Sequence, residues 1–179
     1  MLNEKAIFAG FGGQGIMKMG QMLAEAGMVE NKQVSWLPSY GPEMRGGTAN
    51  CHVIVSDRMV GSPIIHRDAS VVVVMNLPSL DKFEADLKEG GVLFVNTSLI
   101  KKSPERKDIE VINVSATNIA NELGNIRVAN VVMLGAYVQK MGTVSMDTVK
   151  KIIEEVFANK KELVALNIKA LEKGAECVG

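Results

Sequence analysis

The sequence is poor in cysteine and aromatic residues, and it carries no excess of charge of either sign. Cys51 and Cys177 are the only cysteines among the 179 residues. Two distant thiols provide neither a disulfide framework nor the four thiolates that an iron–sulfur cluster needs. Twenty basic residues balance twenty acidic ones, so we expect no dominant electrostatic attraction to nucleic acid or to an acidic membrane.

Long apolar runs are also missing. The longest ones, such as residues 131–138 with Gly135 inside, fall short of the about 20 residues that a membrane span requires. Residues 1–15 hold too few consecutive apolar residues for the core of a signal peptide. We therefore expect a cytoplasmic protein, and the length favours one domain over residues 1–179.

Strand and helix patterns alternate along the chain, which predicts a layered α/β fold. The loop over residues 38–47 is too short for a usual helical crossover. Strands are expected at 5–10, 33–37, 48–55, 71–74, 92–95 and 109–114, with a turn at 56–58 leading into a short strand near Val60. Helices are expected at 15–30, 76–87, 116–123, 128–141, 146–157 and 160–173.

A glycine-rich turn lies between the first strand and the first helix. Its sequence fits the pattern G-x-G-x-x-G, and the candidate binding residues are Gly10, Gly12, Gly13, Gln14 and Gly15. Glycines allow a tight turn and a close approach to a ligand, and the amides at a helix start can hold an anionic group. The alternative is that the glycines only permit the helix to pack closely on the sheet.

A nicotinamide dinucleotide site needs one further residue. It usually has an acid at the end of the second strand, which binds a ribose hydroxyl. This sequence has Leu37, Pro38 and Ser39 at that point. The pattern therefore argues against NAD.

The second unusual segment is the loop after the second strand. Functional loops are commonly supported by a rigid sheet, although Glu43 and Arg45 could equally form an exposed ion pair of little energetic value. The candidate interface residues are Tyr40, Gly41, Pro42, Glu43, Met44, Arg45, Gly46 and Gly47.

Together these segments resemble the gamma subunit, or the equivalent gamma domain, of the 2-oxoacid:ferredoxin oxidoreductases. The matching residues are 10–15, the loop 39–47 followed by Thr48 and Ala49, the Ser62-Pro63 step, Asn130 and Leu134-Gly135. The resemblance implies an α/β fold: a Rossmann-like three-layer domain with a mostly parallel sheet, a β-hairpin insertion and a helical C-terminal region.

The resemblance also implies a role in a complex. Such a complex decarboxylates a 2-oxoacid on thiamine diphosphate, passes electrons through iron–sulfur clusters to ferredoxin and forms an acyl-CoA. Alpha, beta and usually delta subunits would carry these cofactors, and this chain alone would bind none of them. The glycine turn (residues 10–15) is then the candidate contact for CoA phosphates, and residues 40–47 are the candidate contact with partner subunits. No catalytic residue and no metal ligand is expected in this chain.

Two other functional classes stay open, an independent nucleotide-binding enzyme and a purely structural assembly subunit. Single polar residues do not decide between them. Cys51 alternates into the apolar face of a strand, as a small core residue would. His52 and His66 have no Cys or second His at zinc-ligand spacing, and Asn130 fits a helix N-cap. The substrate could be pyruvate, 2-oxoisovalerate or 2-oxoglutarate.

Overall fold

A mixed six-stranded sheet forms the centre of the computed structural model, which describes residues 1–40 and 47–178, without the side chain of Tyr40. The strands are β1 (Asn3–Phe11), β2 (Gln33–Tyr40), β3 (Thr48–Ser56), β4 (Ala69–Val74), β5 (Leu87–Asn96) and β6 (Glu110–Val114). The helices are α1 (Ile16–Val29), α2 (Leu77–Phe83), α3 (Ala116–Glu122), α4 (Ala129–Met141), α5 (Met146–Val156) and α6 (Lys161–Glu176). None of these helices is long and apolar enough to cross a membrane.

The strand order is β2-β3-β1-β4-β5-β6. Strands β1, β4, β5 and β6 pair in parallel, whereas β3 pairs antiparallel with both β1 and β2. All strands except β3 therefore point the same way, and β2 and β3 form the hairpin. This topology confirms the expected α/β class.

The expected short strand near Val60 is wrong. Residues 57–68 form bends and irregular structure, because both edges of β3 are already occupied by β1 and β2. A strand that follows Ser56 would have no free edge of β3 to pair with. The segment is held by side chains instead: Ile65 is buried, and its amide donates to Nδ1 of His52 at 3.1 Å.

The helix expected at 76–87 ends earlier than its sequence pattern suggests. Helix α2 ends at Phe83, a short 3₁₀ turn follows, and Leu87 already belongs to β5. Gly90 lies inside this strand with φ of 69°, and its amide donates to the carbonyl of Asp108 at 2.8 Å. The glycine therefore permits an irregular strand start rather than ending a helix.

Two apolar cores lie on opposite faces of the sheet. The larger one packs α1 and the C-terminal helices against the sheet, and Tyr137 of α4 stands at its centre with ring centroids 5.4 Å from Phe8 and 5.9 Å from Phe94. Helices α4 and α6 approach backbone to backbone, because a Cβ on Gly135 would collide with the carbonyl of Leu171. The smaller core lies under α2, where Leu80 and Phe83 are buried.

One carboxyl group is buried at the start of β1. Glu4 is 6% exposed, and its Oε1 accepts hydrogen bonds from the hydroxyl of Tyr137 and, at 2.6 Å, from that of Thr143. Burial raises the pKa of Glu4 to about 7, although the Thr143 hydrogen bond and the charge of Lys88 act in the opposite direction. The charged form of Glu4 is therefore disfavoured by folding.

We predict that Glu4 makes the protein less stable as the pH rises. The pKa of Glu4 is higher in the folded chain than the ordinary 4.5. Between these two pKa values, the folded state holds a proton that the unfolded state has released. The stability that this proton confers is lost as the pH rises through about 7. At about 1.4 kcal/mol per pKa unit, the effect is roughly 3 kcal/mol. Urea denaturation of the wild type and Glu4→Gln from about pH 5 to 8 would measure it. Identical pH slopes for the two proteins would contradict the prediction.

Candidate functional site: the glycine turn at the carboxyl edge of the sheet

The glycine turn connects the end of β1 to α1 and leaves the start of the helix uncapped. Gly15 is the N-cap residue and has no side chain that could accept from the first amides of α1, and the first turn of the helix contains no acid. Within residues 1–40 and 47–178, the amides of Gly13, Ile16 and Met17 have no hydrogen-bond acceptor. Unpaired amides and the positive end of the helix dipole together favour an anion at this point.

The glycines of the turn serve different purposes. A Cβ on Gly10 would lie 2.7 Å from Oε1 of Gln14, and one on Gly15 would lie 2.5 Å from Nδ2 of Asn130. A side chain at either glycine would therefore have to displace its neighbours. Gly13 has φ of 97°, and a Cβ there would meet nothing within 4 Å. Its surroundings are open, as a position that a ligand approaches must be.

The side chain of Gln14 braces the turn. Its Oε1 accepts from the amide of Phe11 at 2.6 Å and from Nδ2 of Asn76 at 3.4 Å. Its Nε2 donates to the carbonyl of Met75 at 3.3 Å. Gln14 therefore ties the turn to the end of β4, while direct contact of its side chain with a ligand stays a prediction.

Asparagines support the same edge of the sheet. Asn76 caps α2, as its sequence context indicated, by accepting the amide of Ser79 at 2.9 Å. Asn96 is fully buried and donates to Oγ1 of Thr117 at 2.9 Å, a role that the sequence analysis missed. The only signal was a polar residue directly after an apolar strand pattern.

Asn130 supports the turn from the other side. Its expected role as a helix N-cap is wrong, because Val128 is the N-cap of α4. Asn125 caps a short 3₁₀ turn that precedes α4, so Asn130 already lies in the helix. Its Nδ2 donates to the carbonyl of Gly15 at 3.1 Å. The pair fixes α1 relative to α4.

The structure places the ends of the interface loop beside the glycine turn. Thr48 pairs with Phe11, and the amide of Gly12 donates to the carbonyl of Gly47 at 2.9 Å. Tyr40 ends β2 opposite Ala49. The predictions for residues 41–46 lie outside the described residues.

The strand order adds an argument against a nicotinamide dinucleotide. In the usual dinucleotide fold, the strand after the first helix lies beside the first strand and brings its acid to the ribose. Here β3 lies between β1 and β2, so the end of β2 is one strand further away from the turn.

A cavity adjoins the turn next to Asn130. It has a volume of about 310 Å³, and the basic residues Lys18 and Arg127 line it together with apolar side chains that include Phe157. The two cations would add positive potential beside the uncapped helix start.

Cys51 is a core residue, as expected. It is fully buried, and burial raises the pKa of its thiol to about 12. A thiol with so high a pKa is a poor nucleophile. Cys51 therefore provides no reacting side chain at this edge of the sheet.

Comparison with known proteins identifies the family of the chain. A family described as pyruvate ferredoxin/flavodoxin oxidoreductase matches residues 5–177. The chain belongs to this family. Subunit VorA of ketoisovalerate oxidoreductase from Methanothermobacter marburgensis is 41% identical over 170 residues, which are 94% of this chain but 35% of VorA. The chain thus spans about a third of that relative.

Other relatives match over nearly their whole length. Subunit KorC of 2-oxoglutarate synthase from Methanocaldococcus jannaschii is 36% identical over 98% of this chain and 94% of its own. The gamma subunit of a keto/oxoacid ferredoxin oxidoreductase from Geobacter sulfurreducens superimposes with a TM-score of 0.86 at 34% identity, covering 99% of this chain and 97% of that one. Subunit PORC of pyruvate oxidoreductase from Thermotoga maritima gives 0.82 at 31% identity, covering 98% and 97%.

We predict that Gln14→Ala destabilises the fold by about 1 kcal/mol, because the amide of Phe11 loses its side-chain acceptor and the carbonyl of Met75 keeps only the longer contact with Asn96. Gln21→Ala is the control, since Gln21 contacts only its helix neighbours Lys18 and Glu25 along α1, and such pairs contribute about 0.2–0.5 kcal/mol each. Denaturant titration of both variants would measure the difference. Equal stability losses would show that Gln14 does not brace the turn.

Proposed function

We propose that this chain is the gamma subunit of a 2-oxoacid:ferredoxin oxidoreductase complex. The observation that carries the proposal is the match over nearly the full length of both chains to the gamma subunit from Geobacter sulfurreducens, at 34% identity. The complex would convert a 2-oxoacid and CoA to an acyl-CoA and CO₂, with two electrons passing to ferredoxin. Alpha and beta subunits, and a delta subunit where present, would carry thiamine diphosphate and the iron–sulfur clusters.

The glycine turn would bind a phosphate group of CoA. The open space at Gly13 supports this role, as do the amides of Ile16 and Met17, which have no acceptor in the part of the chain that the structure describes. Lys18 and Arg127 would add positive charge from the neighbouring cavity. This chain would thus orient CoA, while partner subunits supply the reacting groups.

The loop over residues 40–47 would contact the partner that holds thiamine diphosphate. Large apolar side chains stand exposed at or within three residues of the carboxyl ends of three parallel strands, at Phe11 (37%), Leu77 (39%) and Leu99 (49%). Apolar side chains at such an edge favour association with another protein. Tyr40 and Arg45 are residue types that often anchor interfaces.

We predict that the purified chain alone does not reduce a viologen dye in the presence of a 2-oxoacid and CoA. It lacks the cysteines for a cluster, so activity would require its partners. Purification from the native cell, identification of co-eluting chains and assay of each fraction would test this. Turnover by the partner-free chain would contradict the proposal and favour an independent enzyme.

For the assembled complex, we predict that Gly13→Ala raises the Michaelis constant for CoA by about tenfold, the equivalent of about 1.4 kcal/mol. The matched control is Gly142→Ala, because Gly142 also has a positive φ, of 60°, and open space around its Cβ position. The two variants share the backbone strain, but Gly142 follows the end of α4, whereas the turn contacts Asn130 near the start of that helix. Measurements would be the Michaelis constant for CoA and the melting temperature. If the Michaelis constant for CoA stays unchanged in Gly13→Ala, or rises equally in both variants, the glycines of the turn only permit close packing of the helix on the sheet.

A further inference from the structure

The connection from β5 to β6 lacks a helix. The connection from β1 to β2 contains α1 and that from β4 to β5 contains α2, whereas residues 97–109 form only turns, bends and irregular structure. A connection between parallel strands usually contains a helix that covers one face of the sheet. The faces of β5 and β6 on the side of α2 are therefore left partly open.

A groove lies where this helix would be expected. It has a volume of about 670 Å³, and Val95, Ile109 and Val111 form its apolar floor. Ile109 and Val111 are only half-buried. Lys101, Lys102, Arg106 and Lys107 line its wall, and among the described residues no acidic side chain lines it. We name it the β5–β6 groove.

Two of these cations are neutralised and two are not. Lys102 pairs with Asp81 at 2.8 Å and with Glu105 at 2.9 Å, and Arg106 pairs with Asp108. Lys101 donates to the carbonyl of Thr97 at 2.8 Å. Neither Lys101 nor Lys107 has an ion pair within residues 1–40 and 47–178, and both are exposed. Lys101 and Lys107 are thus the two cations of the wall that carboxylates of a bound molecule could pair with.

The wall is also held in position. The amide of Arg106 donates to Oε1 of Glu84 at 2.7 Å. Its guanidinium donates to the carbonyls of Glu84 and Leu87. These contacts fix the connection to the end of α2, so a bound molecule would need to order little of the groove.

We propose that the β5–β6 groove docks a polypeptide segment of a partner subunit, with one apolar side and several carboxylates. The apolar side would cover Val95, Ile109 and Val111, as the missing crossover helix would. The carboxylates would lie against Lys101 and Lys107, and this charge complementarity selects an acidic segment. The inference rests on the proposed function, because it needs a complex with other subunits.

Hydrogen–deuterium exchange on the assembled complex and on the free chain tests the docking directly. Residues 97–113 should exchange more slowly in the complex than in the free chain, because a docked segment excludes water from β6 and the connection. Unchanged exchange over these residues in an assembled complex would overturn the proposal.

Charge reversal tests the electrostatic part. Lys101→Glu combined with Lys107→Glu should weaken assembly at low salt by about tenfold or more, since like charges would then face each other. The matched control is Lys151→Glu combined with Lys169→Glu, two exposed lysines on α5 and α6, which changes the net charge equally. Circular dichroism would check the fold of both double variants. Equal affinities for the two would overturn the proposal.

Two further outcomes have distinct meanings. If the wild-type chain forms no complex at all, both the proposed function and the docking proposal fail. In the other outcome, the complex forms without slowing exchange at residues 97–113, whereas ATP added to the free chain does slow it. The docking proposal alone is then overturned. The groove would in that case bind small phosphate-bearing anions.

Discussion

The position of β3 beside β1 is the constraint on which the rest of the site depends. Because β3 runs antiparallel between β1 and β2, the hairpin loop returns to the carboxyl end of β1. The carbonyl of Gly47 then accepts the amide of Gly12. Two segments that are about 30 residues apart in the sequence therefore meet at one edge of the sheet. A parallel strand at this position would have placed the loop at the opposite edge.

The glycine turn is held by the protein's own side chains, not only by its glycines. Gln14 ties it to the end of β4, and Asn130 ties Gly15 to α4. Within residues 1–40 and 47–178, the amides of Ile16 and Met17 have no acceptor, while the backbone around them is fixed. Such an arrangement can bind an anion with little reorganisation, which is the physical advantage of a preorganised site.

Sequence patterns predicted most of the strands and helices because burial on one or both faces gives a strong periodic signal. The prediction of a strand near Val60 was wrong because strand pairing depends on which edges of the sheet are free. The local sequence contains no information about the edges of β3. The predicted role of Asn130 was wrong for a related reason, because its hydrogen-bond partner, the carbonyl of Gly15, lies 115 residues away in the sequence. The fold class and the turn were thus predictable, whereas the long-range polar contacts that shape the site were not.

The two surfaces that we assign to binding follow from one property of the topology. Helices α1 and α2 lie on opposite faces of the sheet. The switch between these faces opens a crevice at the ends of β1 and β4. Ligands bind in such crevices in open α/β sheets. Because no helix connects β5 to β6, a second opening lies over these two strands, at one end of the sheet. The first opening presents backbone amides in a confined turn, which suits a small anionic group. The second presents an apolar floor along two strands with exposed lysine side chains at its wall, which suits a longer acidic segment.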